Sequence, residues 1–504
     1  MNAALTLDDL IGAGADDAVA IAAPERPPLS YGGLRRLAAR TRASLNGFGI
    51  GRGDRVAIVL PNGPEMAAAF VAIGTAATTA PLNPGYREDE FAFYLEDLKA
   101  KALVVEEGSN SPAIAVARRF GAQVLTLAKG AAAGDFTLAG GSPGSAASPG
   151  LPGAEDIALV LHTSGTTSRP KIVPLAQRNL AASARHIAAT LGLVPADRCL
   201  NIMPLFHIHG LMAATLASLS AGASVYCTPG FNALRFFAWL DDAKPSWFTA
   251  VPTMHQAILG RAERNREAIA RNPLRFIRSS SASLPPQVLA ALEAAFGCPV
   301  IESYGMTEAA HQMASNPLPP GIRKPGSVGI AAGPEVAIMD EAGALLPAGA
   351  TGEVVIRGPN VTAGYENNPA ANAGAFTNGW FRTGDQGVMD HEGYLTITGR
   401  LKEIINRGGE KVSPKEVDEV LMDHPAVAQV VTFAMPHDKL GEEVAAAVVL
   451  REGASASPQE IKDFAARRLA DFKVPRQLVI LDEIPKGATG KLQRIGLAQK
   501  LGLG

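Results

Sequence analysis

The sequence predicts an α/β protein with a large N-terminal domain of layered sheets and a small α+β domain at the C-terminus. Three observations carry this prediction: the length of 504 residues, strand-like runs that alternate with helical ones, and a change in composition beyond residue 400. Alternating strands and helices are typical of layers built around a largely parallel sheet. A chain of this length has room for two to four domains of about 150 residues each.

The N-terminal alternation is clearest before residue 163. Its predicted elements are helices at 31–45 and 65–77 and strands at 55–60, 102–106, 122–127 and 157–162. Another helix is expected to begin near Gln177. The segment 129–154 is rich in Gly, Ala, Ser and Pro, which predicts a surface connection.

Charged residues become dense just beyond Arg400, and a compact α+β pattern follows. Its predicted elements are helices at 414–422 and 458–469 and strands at 428–433, 445–450 and 477–481. A pattern of about 100 residues with its own alternation predicts a separate domain.

Composition excludes several classes of function. With 46 basic and 48 acidic residues, the net charge of −2 gives no electrostatic reason to expect nucleic acid or an anionic membrane as a partner. Cys199, Cys227 and Cys298 are far apart, which excludes a zinc site built from cysteines and indicates a reducing compartment. The N-terminus lacks the basic residues of a secretory signal, and apolar stretches such as 66–80 are too short to span a membrane. We expect a cytoplasmic protein.

A polar loop, TSGTTSRPK, follows the strand predicted at 157–162 and occupies residues 163–171. Its hydroxyl and backbone N–H groups are suited to binding polyphosphate oxygens, and Lys171 adds a positive charge. It is not a Walker A loop, because Pro170 stands where that motif requires its second glycine. The residue types alone leave a solvated Ser/Thr-rich turn equally open.

Seven further motifs follow this loop: PLFHIHG (204–210), SSSASL (279–284), ESYGMTEA (302–309), TGE (351–353), WFRTGD (380–385), GRLKEIINRGGEKVSP (399–414) and PKGATGKLQR (485–494). In this order they resemble the motifs of the adenylate-forming superfamily, which includes acyl-CoA synthetases, luciferases and peptide-synthetase adenylation domains. The resemblance covers nearly the whole chain. It implies the adenylate-forming fold and a ligase that converts a carboxylic acid into acyl-AMP, releases pyrophosphate and transfers the acyl group to CoA. The implied cofactors are ATP, Mg²⁺ and CoA.

The resemblance also assigns a nucleotide site. Tyr304 matches the residue that stacks on adenine, Asp385 and Arg400 match the ribose contacts, and Thr307 matches the α-phosphate contact. Glu308 matches the metal ligand, and one carboxylate together with waters and substrate phosphates is a usual Mg²⁺ environment. The complete implied ATP/AMP-binding set is Thr163, Ser164, Gly165, Thr166, Thr167, Lys171, Ala282, Ser283, Glu302, Ser303, Tyr304, Gly305, Thr307, Asp385 and Arg400.

The C-terminal motifs imply a mobile domain. Lys491 matches the catalytic lysine that bridges the attacking carboxylate and the phosphate ester, and Lys402 matches a hinge. Residues 1–399 would form the N-terminal AMP- and acyl-binding domain, 400–402 the hinge and 403–504 the mobile domain. Gly408, Gly409 and Glu410 lie in a loop that would face CoA, since glycines let a pantetheine arm pass close to the backbone.

The acyl pocket is predicted from His207, His209, Ser281 and His311. His207 matches a position beside the reacting carboxylate and is assigned to catalysis, together with Lys491, Thr307 and Glu308. A small polar cavity would provide the charge-assisted donors that a second, buried carboxylate needs. Within the superfamily, the sequence around these residues most resembles the oxalate–CoA ligases, which predicts oxalate as the acid.

Three alternatives stay open at this point. The first is a ligase for short- or medium-chain fatty acids, malonate or an aromatic acid. The second is a peptide-synthetase-type module, which requires a carrier domain after Lys491, and the sequence ends at residue 504. The third is a non-catalytic sensor of ATP or acyl-AMP. We expect small-molecule partners only, no membrane span, and a monomer or homodimer.

Overall fold

A computed structural model of the chain describes residues 5–163, 170–485 and 492–503. Its strands are β1 (Val19–Ala22), β2 (Leu29–Ser30), β3 (Arg55–Val59), β4 (Thr78–Pro81), β5 (Ala102–Glu106), β6 (Gln123–Lys129), β7 (Phe136–Ala139), β8 (Ile157–His162), β9 (Ile172–Ala176), β10 (Arg198–Asn201), β11 (Ser224–Cys227), β12 (Trp247–Ala250), β13 (Phe276–Ser279), β14 (Val300–Met306), β15 (His311–Ser315), β16 (Ile330–Ala331), β17 (Glu335–Met339), β18 (Thr351–Arg357), β19 (Phe376–Thr377), β20 (Trp380–Met389), β21 (Leu395–Arg400), β22 (Ile405–Arg407), β23 (Glu410–Val412), β24 (Val427–His437), β25 (Gly441–Leu450) and β26 (Gln477–Ile480).

The helices are α1 (Leu7–Ile11), α2 (Tyr31–Gly47), α3 (Pro64–Gly74), α4 (Glu88–Leu98), α5 (Ala113–Arg119), α6 (Gln177–Thr190), α7 (Ala217–Ser220), α8 (Phe236–Ala243), α9 (Pro252–Ala262), α10 (Arg266–Arg271), α11 (Pro286–Phe296), α12 (Pro369–Ala375), α13 (Pro414–Met422), α14 (Pro458–Ala466) and α15 (Leu497–Lys500). A π-helical segment, His209–Leu216, precedes α7, and short 3₁₀ turns occupy Glu263–Asn265, Thr307–Ala309 and Asp471–Lys473.

Two large sheets form the N-terminal part. The seven-stranded sheet has the order β7-β6-β5-β3-β4-β8-β9, and the nine-stranded sheet has the order β16-β15-β14-β13-β12-β10-β11-β1-β2. Both are parallel in their centres and antiparallel only toward their edges. The prediction of layered, largely parallel α/β structure is confirmed.

Helix α3 joins the two large sheets into one core. All eleven of its residues are buried, and it packs on β3 and β4 of one sheet and on β1 and β11 of the other. Four of its residues are alanines, so the backbones of both sheets can approach it closely. The apolar stretch that starts at Met66 is therefore a core helix. In the part of the chain that the structure describes, no helix is both long and apolar enough to cross a bilayer.

Two smaller sheets follow. β17 to β21 form an antiparallel sheet that ends at Arg400, and β22 to β26 form a second sheet that begins at Ile405. The helix predicted at 414–422 is α13, and the strands predicted at 428–433, 445–450 and 477–481 lie at β24, β25 and β26. A large N-terminal region and a smaller C-terminal α+β unit are thus confirmed, while the boundaries at 399 and 403 stay predictions.

One detail of the sequence-based topology is wrong, and one strand was not predicted, although the helix expected near Gln177 is confirmed as α6. The segment 129–154 is not only a connection, because it contains β7, whose Phe136 is buried against the core beneath α2. A strand, β9, also separates the polar loop from α6, and it pairs antiparallel with β8. Its first residue, Ile172, is buried and pairs with His162, so the polar loop connects two strands of a hairpin.

Candidate active site

The candidate site lies at the carboxyl ends of the parallel strands β12, β13 and β14, the edge where open α/β sheets bind ligands. A cavity of about 340 Å³ opens there between the N-terminal sheets and the C-terminal unit. Its lining includes nine predicted site residues: Ser281, Ala282, Ser283, Glu302, Ser303, Tyr304, Gly305, Asp385 and Arg400. The C-terminal unit contributes a second set, which includes Glu403, Lys415, Asp418, Leu492 and Arg494.

Asp385 forms the centre of one wall of the cavity. It pairs across the strands with Arg400, whose Nε donates to Oδ1 at 2.9 Å, and the Tyr304 hydroxyl donates to Oδ2 at 2.5 Å. The carboxylate of Asp385 raises the pKa of Arg400 above its usual range. Gly384 has a φ of +73°, which favours glycine, and its N–H donates to the Glu353 carboxylate at 2.8 Å. The Asp385 carboxylate of β20 therefore lies beside the Tyr304 hydroxyl of β14.

Glu302 is a buried residue of β14 that also lines the cavity. It is paired in register with Ser279 across β13 and β14, and its Oε1 accepts the Leu284 N–H at 2.8 Å. Burial raises the pKa of Glu302 to about 7, although the bond from Leu284 lowers it. This carboxyl therefore holds the 279–284 turn against β14.

Glu308 is buried, with 6% of its surface exposed, in the 3₁₀ turn that begins at Thr307. Its Oε1 accepts the Tyr365 hydroxyl at 2.8 Å, and the Lys171 ammonium lies 4.3 Å from the centre of the Tyr365 ring. Burial raises the pKa of Glu308, while Tyr365, Arg400 and Lys171 favour its ionised form. The fold therefore brings the predicted metal ligand and the loop lysine to the same tyrosine.

The polar loop is closed at its base by Thr163 and Lys171. The Thr163 N–H donates to the Lys171 carbonyl at 3.0 Å, and the Lys171 N–H donates to the Thr163 hydroxyl at 3.3 Å. The predicted phosphate contacts Ser164, Gly165, Thr166 and Thr167 lie outside the described residues.

The predicted acyl-pocket residues meet in a buried cluster. His209 and His311 are 0% and 1% exposed, and their rings stack with centres 4.9 Å apart. His209 Nδ1 lies 3.0 Å from the Ser281 hydroxyl, and its Nε2 lies 2.7 Å from the Thr249 hydroxyl. Since Ser281 also lines the cavity that contains Asp385 and Tyr304, it joins the two parts of the site.

Backbone strain marks this cluster. Ser281 has a φ of +75° and His311 a φ of +100°, backbone conformations that residues other than glycine rarely adopt. Strain of this kind concentrates at functional sites, where the surrounding fold holds it in place. His207 lies next to the cluster, and its Nδ1 accepts the His209 N–H at 3.4 Å.

The predicted C-terminal residues are more dispersed. Lys491 lies outside the described residues, but Leu492 and Arg494 line the cavity, and Arg494 is fixed by Asp418 at 2.6 Å. Lys402 is exposed in the turn between β21 and β22. Gly408 and Gly409, both with positive φ, form the exposed tip of the β22–β23 hairpin, and Glu410 begins β23. These three residues do not line the cavity.

Three residues of the site were missed by the sequence analysis: Tyr365, Thr249 and Arg278. Arg278 is an arginine inside a strand of otherwise apolar and small residues, which is a sequence signal of a buried functional charge. Tyr365 and Thr249 carry no such signal, because a tyrosine in a Gly/Asn-rich turn and a threonine in a strand are ordinary.

The residues fit a metal held mainly by its substrate. Within 5–163, 170–485 and 492–503, no group of three or more His, Cys, Asp or Glu side chains is placed to hold a metal ion. Mg²⁺ bound through one carboxylate and nucleotide phosphates needs no such group, and Glu308 offers that carboxylate.

Comparison with known proteins identifies the family. The AMP-binding enzyme model matches residues 6–366, and the AMP-binding enzyme C-terminal domain model matches residues 416–491. The chain belongs to the AMP-binding enzyme family. This membership confirms the superfamily that the ordered motifs indicated.

The sequences of individual relatives are similar to this AMP-binding enzyme over nearly its full length. An oxalate–CoA ligase of Arabidopsis thaliana is 47% identical over 492 residues, covering 94% of this chain and 96% of that protein. An oxalate–CoA ligase of Saccharomyces cerevisiae is 43% identical over 475 residues, covering 89% and 87%. The structure is similar to ATP-bound MatB from Rhodopseudomonas palustris, with a TM-score of 0.88, 30% identity and 99% of each chain covered. The predicted fold class is therefore confirmed.

Proposed function

We propose that this AMP-binding enzyme is an ATP-dependent acid–CoA ligase and that its acid is oxalate. The carrying observation is the buried cluster of His209, His311 and Ser281 beside the nucleotide cavity. Such a cluster supplies polar hydrogen-bonding groups where a ligase for an apolar acid would need an apolar pocket. Similarity to two oxalate–CoA ligases at 47% and 43% identity supports the same acid.

Adenylation begins with the nucleotide positioned in the cavity. Tyr304 stacks on adenine, Asp385 and Arg400 hold the ribose, and Thr163, Lys171 and the intervening loop bind the phosphates. Thr307 contacts the α-phosphate. Mg²⁺ held by Glu308 would offset phosphate charge when it is bound. A carboxylate oxygen of the acid attacks the α-phosphorus, and the bond to pyrophosphate breaks. Positioning and charge stabilisation supply the catalysis, and Lys491 contributes a cation between the carboxylate and the phosphate.

Thioester formation uses a different part of the C-terminal unit, the β22–β23 hairpin. Rotation about Lys402 would remove Lys491 from the site and bring Gly408, Gly409 and Glu410 toward it. The exposed, glycine-bearing hairpin tip suits passage of the CoA pantetheine arm. The thiol sulfur attacks the acyl carbonyl, the bond to AMP breaks, and acyl-CoA and AMP are released.

The acid is selected by the buried cluster. One carboxylate of oxalate reacts beside His207, and the other accepts hydrogen bonds from the cluster that contains Ser281, His209 and His311. A fatty acyl chain offers no hydrogen-bond acceptor to this polar cluster, which disfavours ligases for fatty acids. A cytoplasmic location and a monomer or homodimer remain predictions from the sequence.

Pyrophosphate release tests this proposal. Purified protein is incubated with ATP, MgCl₂ and CoA and with one acid at a time: oxalate, malonate, acetate, octanoate or benzoate. We expect release and CoA consumption to be at least tenfold faster with oxalate than with any other acid. Faster turnover of octanoate than oxalate would overturn the choice of acid and leave the ligase standing. Failure with every acid would overturn the ligase and favour a sensor.

A further inference from the structure

Arg278 is a charged residue deep inside the N-terminal sheet. It lies on β13, is 0% exposed and directly faces Thr249 of β12 in the strand register. Among the described residues, no carboxylate forms a salt bridge with it, and its Nε has no hydrogen-bond partner. A buried cation without a counter-ion is costly, and burial lowers the pKa of this guanidinium to about 9. Its hydrogen bonds reach none of the residues assigned to nucleotide binding.

The contacts of Arg278 lead to the two buried histidines. Its Nη1 and Nη2 both lie 3.2 Å from His311 Nε2, and Nη2 also donates to the Gln312 side-chain oxygen at 3.2 Å. A guanidinium can only donate, so His311 Nε2 must accept. The ring proton of His311 is therefore on Nδ1, the nitrogen turned away from the guanidinium.

A second path runs through Thr249. Arg278 Nη1 donates to the Thr249 hydroxyl oxygen at 3.4 Å, and the hydroxyl hydrogen then points along the 2.7 Å contact to His209 Nε2. Since His209 Nε2 accepts, Nδ1 carries the ring proton and donates to the Ser281 oxygen at 3.0 Å. The Ser281 hydroxyl hydrogen is then left for another acceptor.

We propose that Arg278 is a positioning residue that orients the acyl-pocket hydrogen bonds so that Ser281 and His311 both donate. Arg278 acts through Thr249 and His209 on Ser281, and directly on His311, and it does not touch the substrate. The two donors and the nearby positive charge select an acid whose second group is an anionic acceptor. This inference rests on the proposed function, since it explains how the site distinguishes oxalate from an acid without the second carboxylate.

Thr249 offers the sharpest test, because Thr249→Val removes the hydroxyl and keeps the shape. We expect Thr249→Val to raise KM for oxalate about tenfold, the effect of one lost bond to a charged group, with KM for ATP unchanged. We expect kcat/KM for glyoxylate, which has an aldehyde in place of the second carboxylate, to change less than twofold. Thr249→Ser keeps the hydroxyl and should restore KM for oxalate. Equal losses for both acids, or no rescue by serine, would overturn the proposal.

A readout without substrate separates this inference from the proposed function. The protein is labelled with ¹⁵N-histidine, and the ring signals of His209 and His311 are assigned with His209→Gln and His311→Gln. We expect both rings to show a protonated Nδ1 and an unprotonated Nε2, and Thr249→Val to disturb that pattern at His209. A protonated Nε2 in wild-type protein would overturn the proposal, even if oxalate is turned over. The expected pattern in a protein inactive on oxalate would retain the hydrogen-bond relay and overturn only its assignment to that acid.

Discussion

The cavity proposed for the nucleotide and the cluster proposed for the acid differ in how their charged side chains are paired. In the cavity, cations and anions are paired within the protein: Arg400 with Asp385 at 2.9 Å and Arg494 with Asp418 at 2.6 Å. In the acyl pocket, Arg278 contacts two histidines, a threonine and a glutamine. The cavity lies between two structural units, whereas Arg278 and Thr249 face each other on neighbouring strands of one sheet.

This difference separates the common reaction from the choice of acid. In the proposed mechanism, paired charges in an open cavity orient the ATP that is needed for every acid. Among the residues that the structure describes, no carboxylate forms a salt bridge with the buried Arg278, so an anionic substrate would add the negative charge that this cluster lacks. Substitutions in the cavity should therefore affect all acids equally, and substitutions in the pocket should affect oxalate selectively.

The largest effect is expected from Lys491→Ala. Loss of a cation that stabilises the transition state should slow oxalyl-AMP formation by about 10²–10³-fold. Thioester formation from preformed acyl-AMP should change much less, because the proposed domain rotation withdraws Lys491 before that step. Pyrophosphate release and single-turnover CoA acylation measure the two steps. Lys500→Ala, at the end of α15, is the matched control. Equal losses in both steps would contradict the assigned role.

Asp385→Asn should come next. Its carboxylate is the proposed ribose acceptor and the partner of Arg400, so KM for ATP should rise about 10–100-fold. KM for oxalate should stay within twofold, as measured by initial rates at saturating ATP. Asp390→Asn, in the turn after β20, is the control and should behave as wild type. A selective rise in KM for oxalate would remove the distinction between cavity and pocket.

Ser281→Ala tests the pocket from the substrate side. It removes one proposed donor and should raise KM for oxalate about tenfold while leaving KM for ATP within twofold. Alanine keeps the Cβ, so the strained φ of +75° is no less favourable than with serine. Kinetics with varied oxalate and varied ATP measure both values. An increase confined to ATP would place Ser281 in the nucleotide site alone.

The smallest effect concerns stability and Glu302. Its pKa is raised from 4.5 to about 7 by burial, so the folded state holds a proton that the unfolded state has released between these values. The contribution of Glu302 to stability therefore falls as pH rises from about 4.5 to about 7, by roughly 3 kcal/mol. Glu302→Gln removes this dependence. Urea unfolding at pH 5 and pH 8 should show the variant gaining stability relative to wild type at pH 8. A constant difference at both values would refute the assignment.

The sequence predicted the elements of the fold better than their connections. The strand at 157–162 and the helix at 414–422 match β8 and α13 in full. β7 was missed because large apolar residues such as Phe136 are few in this Gly/Ser-rich segment. The burial of Phe136 depends on α2, about 90 residues earlier in the chain. β9 was missed because its pairing with β8 depends on a reversal that the loop composition does not specify.

The candidate site was predictable where its residues lie in motifs of the family. Tyr304 and Asp385 come from separate motifs, yet a family resemblance was sufficient to expect them together, and they meet at 2.5 Å. The relay through Arg278 and Thr249 was not predictable, because it depends on the register between β12 and β13. Which atoms donate and which accept in this relay is determined only once the side chains of neighbouring strands lie side by side.

The most direct test of the account compares acids that differ only in the second carboxylate. Wild-type protein is supplied with ATP, Mg²⁺ and CoA and with either oxalate or glyoxylate, and the CoA thioesters are quantified by mass spectrometry. We expect oxalyl-CoA together with AMP and pyrophosphate in equal amounts, and a kcat/KM for glyoxylate at least about tenfold lower. Equal efficiency with the two acids would contradict a pocket built around a second carboxylate.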